Sequence, residues 1–109
     1  TALAPVYYRP FLRLADGTFV TDFEPPEPDV PFWFTHVNSR GDIAGGYYSW
    51  DEGRYMGFVR DKHGAYTSIE VPGLQHNELY SINASGTVVG TAWNPNTAFI
   101  AIPRHLDTP

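Results

Sequence analysis

The fold is decided by residues 82–90, which read Ile82-Asn83-Ala84-Ser85-Gly86-Thr87-Val88-Val89-Gly90. The same pattern stands earlier in the chain as Val37-Asn38-Ser39-Arg40-Gly41-Asp42-Ile43-Ala44-Gly45. Each copy places Asn-x-x-Gly between two apolar runs. Asn side-chain hydrogen bonds favour a type I turn, and Gly accepts the left-handed backbone conformation that closes such a turn. Both copies are therefore predicted to be hairpin turns within one repeated β unit.

The repetition extends well beyond these turns. Residues 9–13 (Arg-Pro-Phe-Leu-Arg) align with residues 56–60 (Met-Gly-Phe-Val-Arg), and a third version begins at residues 98–102 (Ala-Phe-Ile-Ala-Ile). A period of about 45 residues is typical of a repeat architecture. We therefore interpret the chain, residues 1–109, as a single domain. It consists of repeat 1 at about 9–53, repeat 2 at about 56–95 and the start of repeat 3 at about 98–103.

Each repeat is predicted to hold short antiparallel strands, because runs of Phe, Val, Ile, Tyr and Thr alternate with polar residues and end at Gly-containing turns. The predicted strands are 9–14, 18–23, 33–37 and 42–48 in repeat 1, and 56–60, 65–71, 79–83 and 87–93 in repeat 2. The prolines of segment 24–31 lack N–H donors, which predicts a stiff exposed loop. Four such strands make one propeller blade. We predict an all-β fold of antiparallel four-stranded repeats, two propeller-like blades plus one extra strand, with collapse into a β-sandwich or barrel as the alternative.

A family resemblance rests on two stretches of repeat 2. Residues 57–73 read Gly-Phe-Val-Arg-Asp-Lys-His-Gly-Ala-Tyr-Thr-Ser-Ile-Glu-Val-Pro-Gly, and residues 81–91 read Ser-Ile-Asn-Ala-Ser-Gly-Thr-Val-Val-Gly-Thr. This pattern resembles the HAF repeat of bacterial extracellular proteins. Repeat 1 departs from it, since Pro10 replaces the Gly before Phe and Ala44-Gly45 replaces Val-Gly. The resemblance implies a β-propeller-like protein that is secreted or on the bacterial cell surface, and it implies no catalytic residue.

Two blades would leave two large apolar faces uncovered, because a blade buries its faces only against its neighbours. Homo-oligomerisation into a closed ring would cover them, with the C-terminal strand completing a blade of the next subunit. A trimer would then hold about six blades. Collapse of the two sheets onto each other and origin as a fragment of a longer propeller are the other solutions. We expect the ring, so the predicted partner is a second copy of this chain.

The composition excludes several classes of partner and chemistry. Seven basic residues stand against twelve acidic ones, the net charge is -5, and no cluster of Lys and Arg occurs. Nucleic acid and anionic membrane surfaces are therefore not expected as partners. The absence of cysteine removes disulfides, thiolate nucleophiles and Cys-based zinc sites. No cofactor is predicted.

Aromatic residues make up 16% of the chain, which is more than a core of this size normally hides. Flat rings can stack on the C–H faces of sugars while neighbouring polar groups bind the hydroxyls. We therefore predict a non-catalytic extracellular module that binds a carbohydrate or another extracellular ligand. The predicted ligand-binding residues are Trp33, Tyr48, Trp50, Tyr55 and Trp93. In an alternative interpretation, Trp50 and Trp93 belong to the interface between blades.

Two other functions remain open from the sequence. One is a small metal-dependent or carboxylate enzyme that acts on polysaccharide, with His36, His76 and Glu78 as candidate metal ligands. Against it, the four histidines include no His-x-His pair, and His105 lies in the C-terminal tail. Asp16 and Asp61 stand where turn-forming residues are expected. The other function is that of a purely structural self-assembly unit.

Overall fold

The computed structural model describes residues 9–93 and 96–103, and over these residues the protein is all-β. The strands are β1 (Leu12–Arg13), β2 (Phe19–Val20), β3 (Phe32–Val37), β4 (Ile43–Ser49), β5 (Arg54–Arg60), β6 (Tyr66–Ile69), β7 (His76–Ile82), β8 (Val88–Trp93) and β9 (Thr97–Ala101). The predicted strands are confirmed in order and approximate position, although β1 and β2 are shorter than expected. No helix in the described part of the chain is long and apolar enough to cross a membrane.

The strands form three antiparallel sheets, with orders β1-β2, β3-β4-β5-β6 and β7-β8-β9. The four-stranded sheet therefore combines the second hairpin of repeat 1 with the first hairpin of repeat 2, which corrects the predicted grouping of four strands within each repeat. The reason is the connection between β4 and β5, a tight turn in which the Gly53 N–H donates to the Ser49 carbonyl at 2.8 Å. By contrast, the long proline-rich segment separates β2 from β3. Within the described residues the sheets do not close into a ring.

The two Asn-x-x-Gly turns adopt the same structure, as the repeat predicts. The side-chain oxygen of Asn38 accepts the N–H groups of Arg40 and Asp42, and the side-chain oxygen of Asn83 accepts those of Ser85 and Thr87. The closing glycines have positive φ angles of 86° at Gly41 and 89° at Gly86. The two turns also touch, because Asn38 Nδ2 donates to the Asn83 carbonyl at 2.8 Å. These turns align the β3-β4 hairpin with the β7-β8 hairpin.

One face of the four-stranded sheet is covered by the proline-rich segment 24–31. Val30 is buried against Phe32 and Phe58 in one apolar cluster, and the Glu27 carboxylate accepts hydrogen bonds from the side chains of Tyr47 and Ser49. The segment forms no strand, as predicted. The expectation of a simply exposed loop was wrong in part, because apolar and polar contacts tie its second half to the sheet.

The opposite face of the four-stranded sheet packs against β7. A second apolar cluster joins Ala44 of β4 to Leu79, Ile82 and Val88 of the three-stranded sheet. The contact is close at Gly57, where a Cβ atom would lie 2.8 Å from the Leu79 Cγ. Such a distance is too short for a carbon atom, so Gly57 permits β7 to lie directly on the sheet. This packing brings the aromatic side chains of β3, β4 and β5 next to β7 and β8.

Candidate functional site

The site begins with the register of β3, β4 and β5. Tyr48 and Tyr55 are partners across β4 and β5, and their side chains therefore share the face that meets β7. Trp33 is the partner of Gly46 across β3 and β4. A Cβ atom at Gly46 would lie 2.9 Å from the Trp33 ring, so the missing side chain makes room for the indole. The sheet thus presents three aromatic rings on one face.

These rings join others from the three-stranded sheet into one aromatic cluster, whose members are Trp33, Tyr48, Trp50, Tyr55, His76 and Trp93. Tyr55 is its centre, with ring-centroid distances of 4.8 Å to Tyr48, 5.9 Å to Trp93 and 6.1 Å to Trp33. The structure therefore brings together the five residues that the sequence singles out for ligand binding. Because Trp93 contacts Tyr55 of the neighbouring sheet, it also lies between sheets, as the alternative interpretation expects.

Trp50 lies at the edge of the aromatic cluster. Its ring contacts Tyr48 at 5.3 Å, its Nε1 donates to the Asp29 carbonyl at 2.7 Å, and half of its surface is exposed. Its neighbour Tyr48 packs edge-on against Tyr55. These two residues therefore support the cluster from one side.

His76 fixes the geometry between the two sheets. Its Nδ1 accepts the backbone N–H of Tyr55 at 3.1 Å, and its ring stacks on Trp93 with centroids 5.1 Å apart and planes 19° from parallel. An imidazole nitrogen accepts a hydrogen bond only when it carries no proton. His76 thus holds Trp93 in a defined orientation relative to Tyr55.

A cavity of about 540 Å³ opens beside these rings, and its walls are Trp33, Tyr55, Asn77, Glu78 and Trp93. This volume lies within the range of roughly 300–1,000 Å³ that is typical of small-molecule sites. Three of the five predicted ligand-binding residues, Trp33, Tyr55 and Trp93, therefore line the cavity. Tyr48 and Trp50 are not part of its wall. No Lys or Arg is among the described residues of its wall.

Asn77 is a buried polar residue of the cavity wall. The residue is 1% exposed, and its Oδ1 accepts the Val71 N–H at 2.9 Å. This bond fixes the orientation of the amide, and the Nδ2 atom has no hydrogen-bond partner in the described structure. A buried amide nitrogen without a partner is costly, and this atom is closed off from solvent. Sequence reasoning missed Asn77, although the aligned position in repeat 1 is Phe32, an apolar core residue.

Glu78 is the carboxylate residue of the cavity wall. Its Oε1 accepts the Tyr80 hydroxyl at 3.2 Å, and the same hydroxyl lies 3.1 Å from the Thr91 Oγ1. Glu78 aligns with Trp33 of repeat 1, so the two repeats contribute unlike side chains to one cavity. The sequence singles out Glu78 as a possible metal ligand, whereas the structure places it among aromatic and hydroxyl groups.

The candidate metal ligands are not brought together. The Nδ1 of His36 accepts the Ile82 N–H at 2.9 Å, at one end of β7, whereas His76 begins β7 at the other end. A strand of this length spans roughly 20 Å. Within residues 9–93 and 96–103, no group of three or more His, Asp, Glu or Cys side chains could hold a metal ion. His105 lies outside the described residues.

Two carboxylates act in turns, as the sequence predicts. The Asp61 Oδ1 accepts the N–H groups of His63 and Ala65 at 2.9 and 3.0 Å, and the Asp16 Oδ1 accepts the Thr18 N–H at 2.9 Å. The backbone hydrogen bond from Ala65 lowers the pKa of Asp61, and that from Thr18 lowers the pKa of Asp16. Both groups therefore stabilise hairpins far from the cavity walls.

Comparison of the chain with protein-family models, with curated proteins and with solved structures gives no match. The resemblance to the HAF repeat therefore stays a prediction.

Proposed function

We propose that this protein is a non-catalytic extracellular binding module and that the cavity bounded by Trp33, Tyr55, Asn77, Glu78 and Trp93 binds carbohydrate. One observation carries the proposal: aromatic residues from two sheets meet around a cavity whose wall also includes the carboxylate residue Glu78. The extracellular location rests on the resemblance of the repeat to bacterial surface proteins.

The chemistry of the cavity walls suits a sugar. Tyr55 and Trp93 offer ring faces for the apolar C–H side of a pyranose, because such contacts bury carbon against carbon. Glu78 accepts hydrogen bonds from sugar hydroxyls. A few polar groups among aromatic walls are typical of small-molecule sites.

The cavity favours binding over hydrolysis. Glycoside hydrolysis usually requires two carboxyl groups about 5 Å or about 6.5–9.5 Å apart. Among the described residues that line the cavity, Glu78 is the one carboxylate. His36 and His76 lie at opposite ends of β7, and no group of three or more His, Asp, Glu or Cys side chains that could hold a metal ion occurs among the described residues. We therefore do not propose a catalytic role for these residues.

A glycan array followed by calorimetry tests the proposal. We expect binding to at least one neutral glycan, and we expect Trp93→Ala and Glu78→Ala each to weaken it at least about tenfold. Ile100→Ala is the control, since Ile100 is apolar and exposed and lies outside the cavity wall. If Trp93→Ala does not fold, Glu78→Ala still provides the test, because Glu78 is only partly buried. Absence of glycan binding, or equal binding by all variants, would overturn the proposal.

We also infer that the protein associates with itself through the β1-β2 hairpin. Phe11 and Phe19 lie edge to face at 5.7 Å on this hairpin, and both are more than half exposed. The equivalent residue of Phe11 in β5, Phe58, is fully buried. The same hairpin thus buries its Phe in one repeat and exposes it in the other, which supports a second copy of the chain as the missing cover.

A further inference from the structure

A second cavity adjoins the first on the outer surface of the β7-β8 pair. It measures about 590 Å³ and shares Glu78 and Trp93 with the first cavity. The remaining residues of its wall are Tyr80, Thr91, Ala92, Asn96, Thr97 and Ala98. Because Glu78 and Trp93 line both cavities, the two cavities are adjacent, and the pair is called the groove below.

A β-bulge places the polar groups of the second cavity. The register of β7 with β8 shifts between Leu79 and Ser81, so Tyr80 is the extra residue. Bulges redirect side chains. Here the Tyr80 hydroxyl lies between the Glu78 carboxylate and the Thr91 hydroxyl, at 3.2 and 3.1 Å. Tyr80 is also half exposed, so this hydroxyl network lies at the surface of the groove.

The charge of the groove selects among ligands. Glu78 lies where the two cavities meet, and neither cavity has a Lys or Arg among the described residues of its wall. The chain as a whole carries a net charge of -5. A uronic acid or phosphate group in this groove would meet a carboxylate without a compensating cation. Hydroxyl groups, by contrast, can donate to Glu78 and exchange hydrogen bonds with Tyr80 and Thr91.

We propose that the groove binds at least two consecutive units of a neutral oligosaccharide, one in each cavity, with the linkage between them beside Trp93. This inference rests on the proposed function and specifies its ligand class. One unit lies against Tyr55 and Trp93 in the first cavity, and the next unit hydrogen-bonds to Tyr80 and Thr91 in the second. Since His76 covers one face of the Trp93 indole, the ligand uses the opposite face.

The test is a chain-length series measured by isothermal titration calorimetry on the full chain. The probes are neutral cello-, manno-, xylo- and N-acetylchito-oligosaccharides of one to six units, with oligogalacturonates of the same lengths as anionic counterparts. For at least one neutral series, we expect affinity to rise about tenfold or more between one unit and three units. We expect no binding of the oligogalacturonates.

Two variants separate the cavities. Tyr80→Phe and Thr91→Val remove single hydroxyls and should weaken binding of the longer oligosaccharides more than binding of the monosaccharide. Affinity independent of chain length, or preference for oligogalacturonates, would overturn this inference but leave carbohydrate binding standing. Failure of every probe to bind would overturn both proposals.

Discussion

The imidazole of His76 lies almost parallel to the indole of Trp93, at 5.1 Å between ring centroids and 19° between ring planes. The same imidazole accepts the backbone N–H of Tyr55, which belongs to the other sheet. One side chain therefore orients a ring of the candidate site and links the two sheets. Loss of His76 should affect both stability and the position of Trp93.

We predict that His76→Ala lowers the free energy of unfolding by about 1–2 kcal/mol, because one hydrogen bond and one ring contact disappear. Urea unfolding measures the change. Trp93 should also move toward solvent, which a red shift of tryptophan emission in the folded protein would report. His63→Ala is the control, since His63 lies exposed in a turn and contributes its backbone N–H there. Equal effects of the two substitutions would contradict the role of His76.

Close contact at a glycine gives a second prediction. A Cβ atom at Gly90 would lie 2.2 Å from the Glu78 carbonyl oxygen, a backbone atom that cannot move without disturbing β7. Gly90→Ala should therefore destabilise the protein by roughly 3 kcal/mol or more and weaken ligand binding. Gly73→Ala is the comparison, because a Cβ atom there meets nothing within 4 Å and the cost comes from the positive φ of 85°. That strain is worth about 1–2 kcal/mol.

The decisive result is which of the two substitutions, Gly90→Ala or Gly73→Ala, lowers the free energy of unfolding more. If Gly73→Ala destabilised the protein more than Gly90→Ala, the packing of β8 against the Glu78 backbone would not be as described. Thermal unfolding of both variants at the same pH provides the comparison.

The repeat turns show how much of this fold the sequence predicts. Asn83 and Gly86 predict a hairpin because their turn chemistry is local, and local chemistry does not depend on distant contacts. The assignment of strands to sheets was not predictable in the same way. This assignment depends on which hairpins are joined by a short connection. Here the turn closed by Gly53 joins β4 of repeat 1 to β5 of repeat 2, so one sheet contains strands of both repeats.

Three aromatic residues of the cavity wall are among those that the sequence singles out for ligand binding, Glu78 was singled out only as a metal ligand, and Asn77 was missed. Trp33, Tyr55 and Trp93 stand out in the sequence because the chain has more aromatic residues than a core of its size normally hides. Asn77 does not stand out, since its significance comes from burial and from the anchoring of its Oδ1 by Val71. The one available signal is the alignment of Asn77 with Phe32, a polar residue at a position that is apolar in the other repeat.

Asp61 gives a prediction of pH dependence. Hydrogen bonds from backbone N–H groups, that of Ala65 first, lower the pKa of Asp61 in the folded state. A carboxyl group whose pKa is lowered by folding stabilises the protein above its unfolded pKa of about 3.9, and this stabilisation is lost as the pH falls through the folded pKa. Asp61→Ala should therefore be less stable than the wild type at pH 7, and the difference should shrink below about pH 4.

Asp61→Asn is the matched variant, because asparagine keeps the acceptor oxygen without the charge, as Asn38 and Asn83 do in the other turns. We expect this variant to retain much of the turn but to lose the acid dependence. Chemical unfolding between pH 3 and pH 7, a range that includes the unfolded pKa of about 3.9, measures both. A constant difference between wild type and Asp61→Ala across this range would contradict the prediction.

The exposed hairpin gives the last prediction. In the β5-β6 hairpin, Phe58 is buried because β4 and the proline-rich segment cover it, whereas Phe11 has no such cover within the described structure. Analytical ultracentrifugation should therefore detect a species larger than the 12.2 kDa chain, and Phe11→Ser combined with Phe19→Ser should shift it toward the monomer. Val37→Thr is the control, since Val37 is exposed on a different sheet. A wild-type protein that stays monomeric at all concentrations would contradict self-association, and dissociation by Val37→Thr alone would place the interface elsewhere.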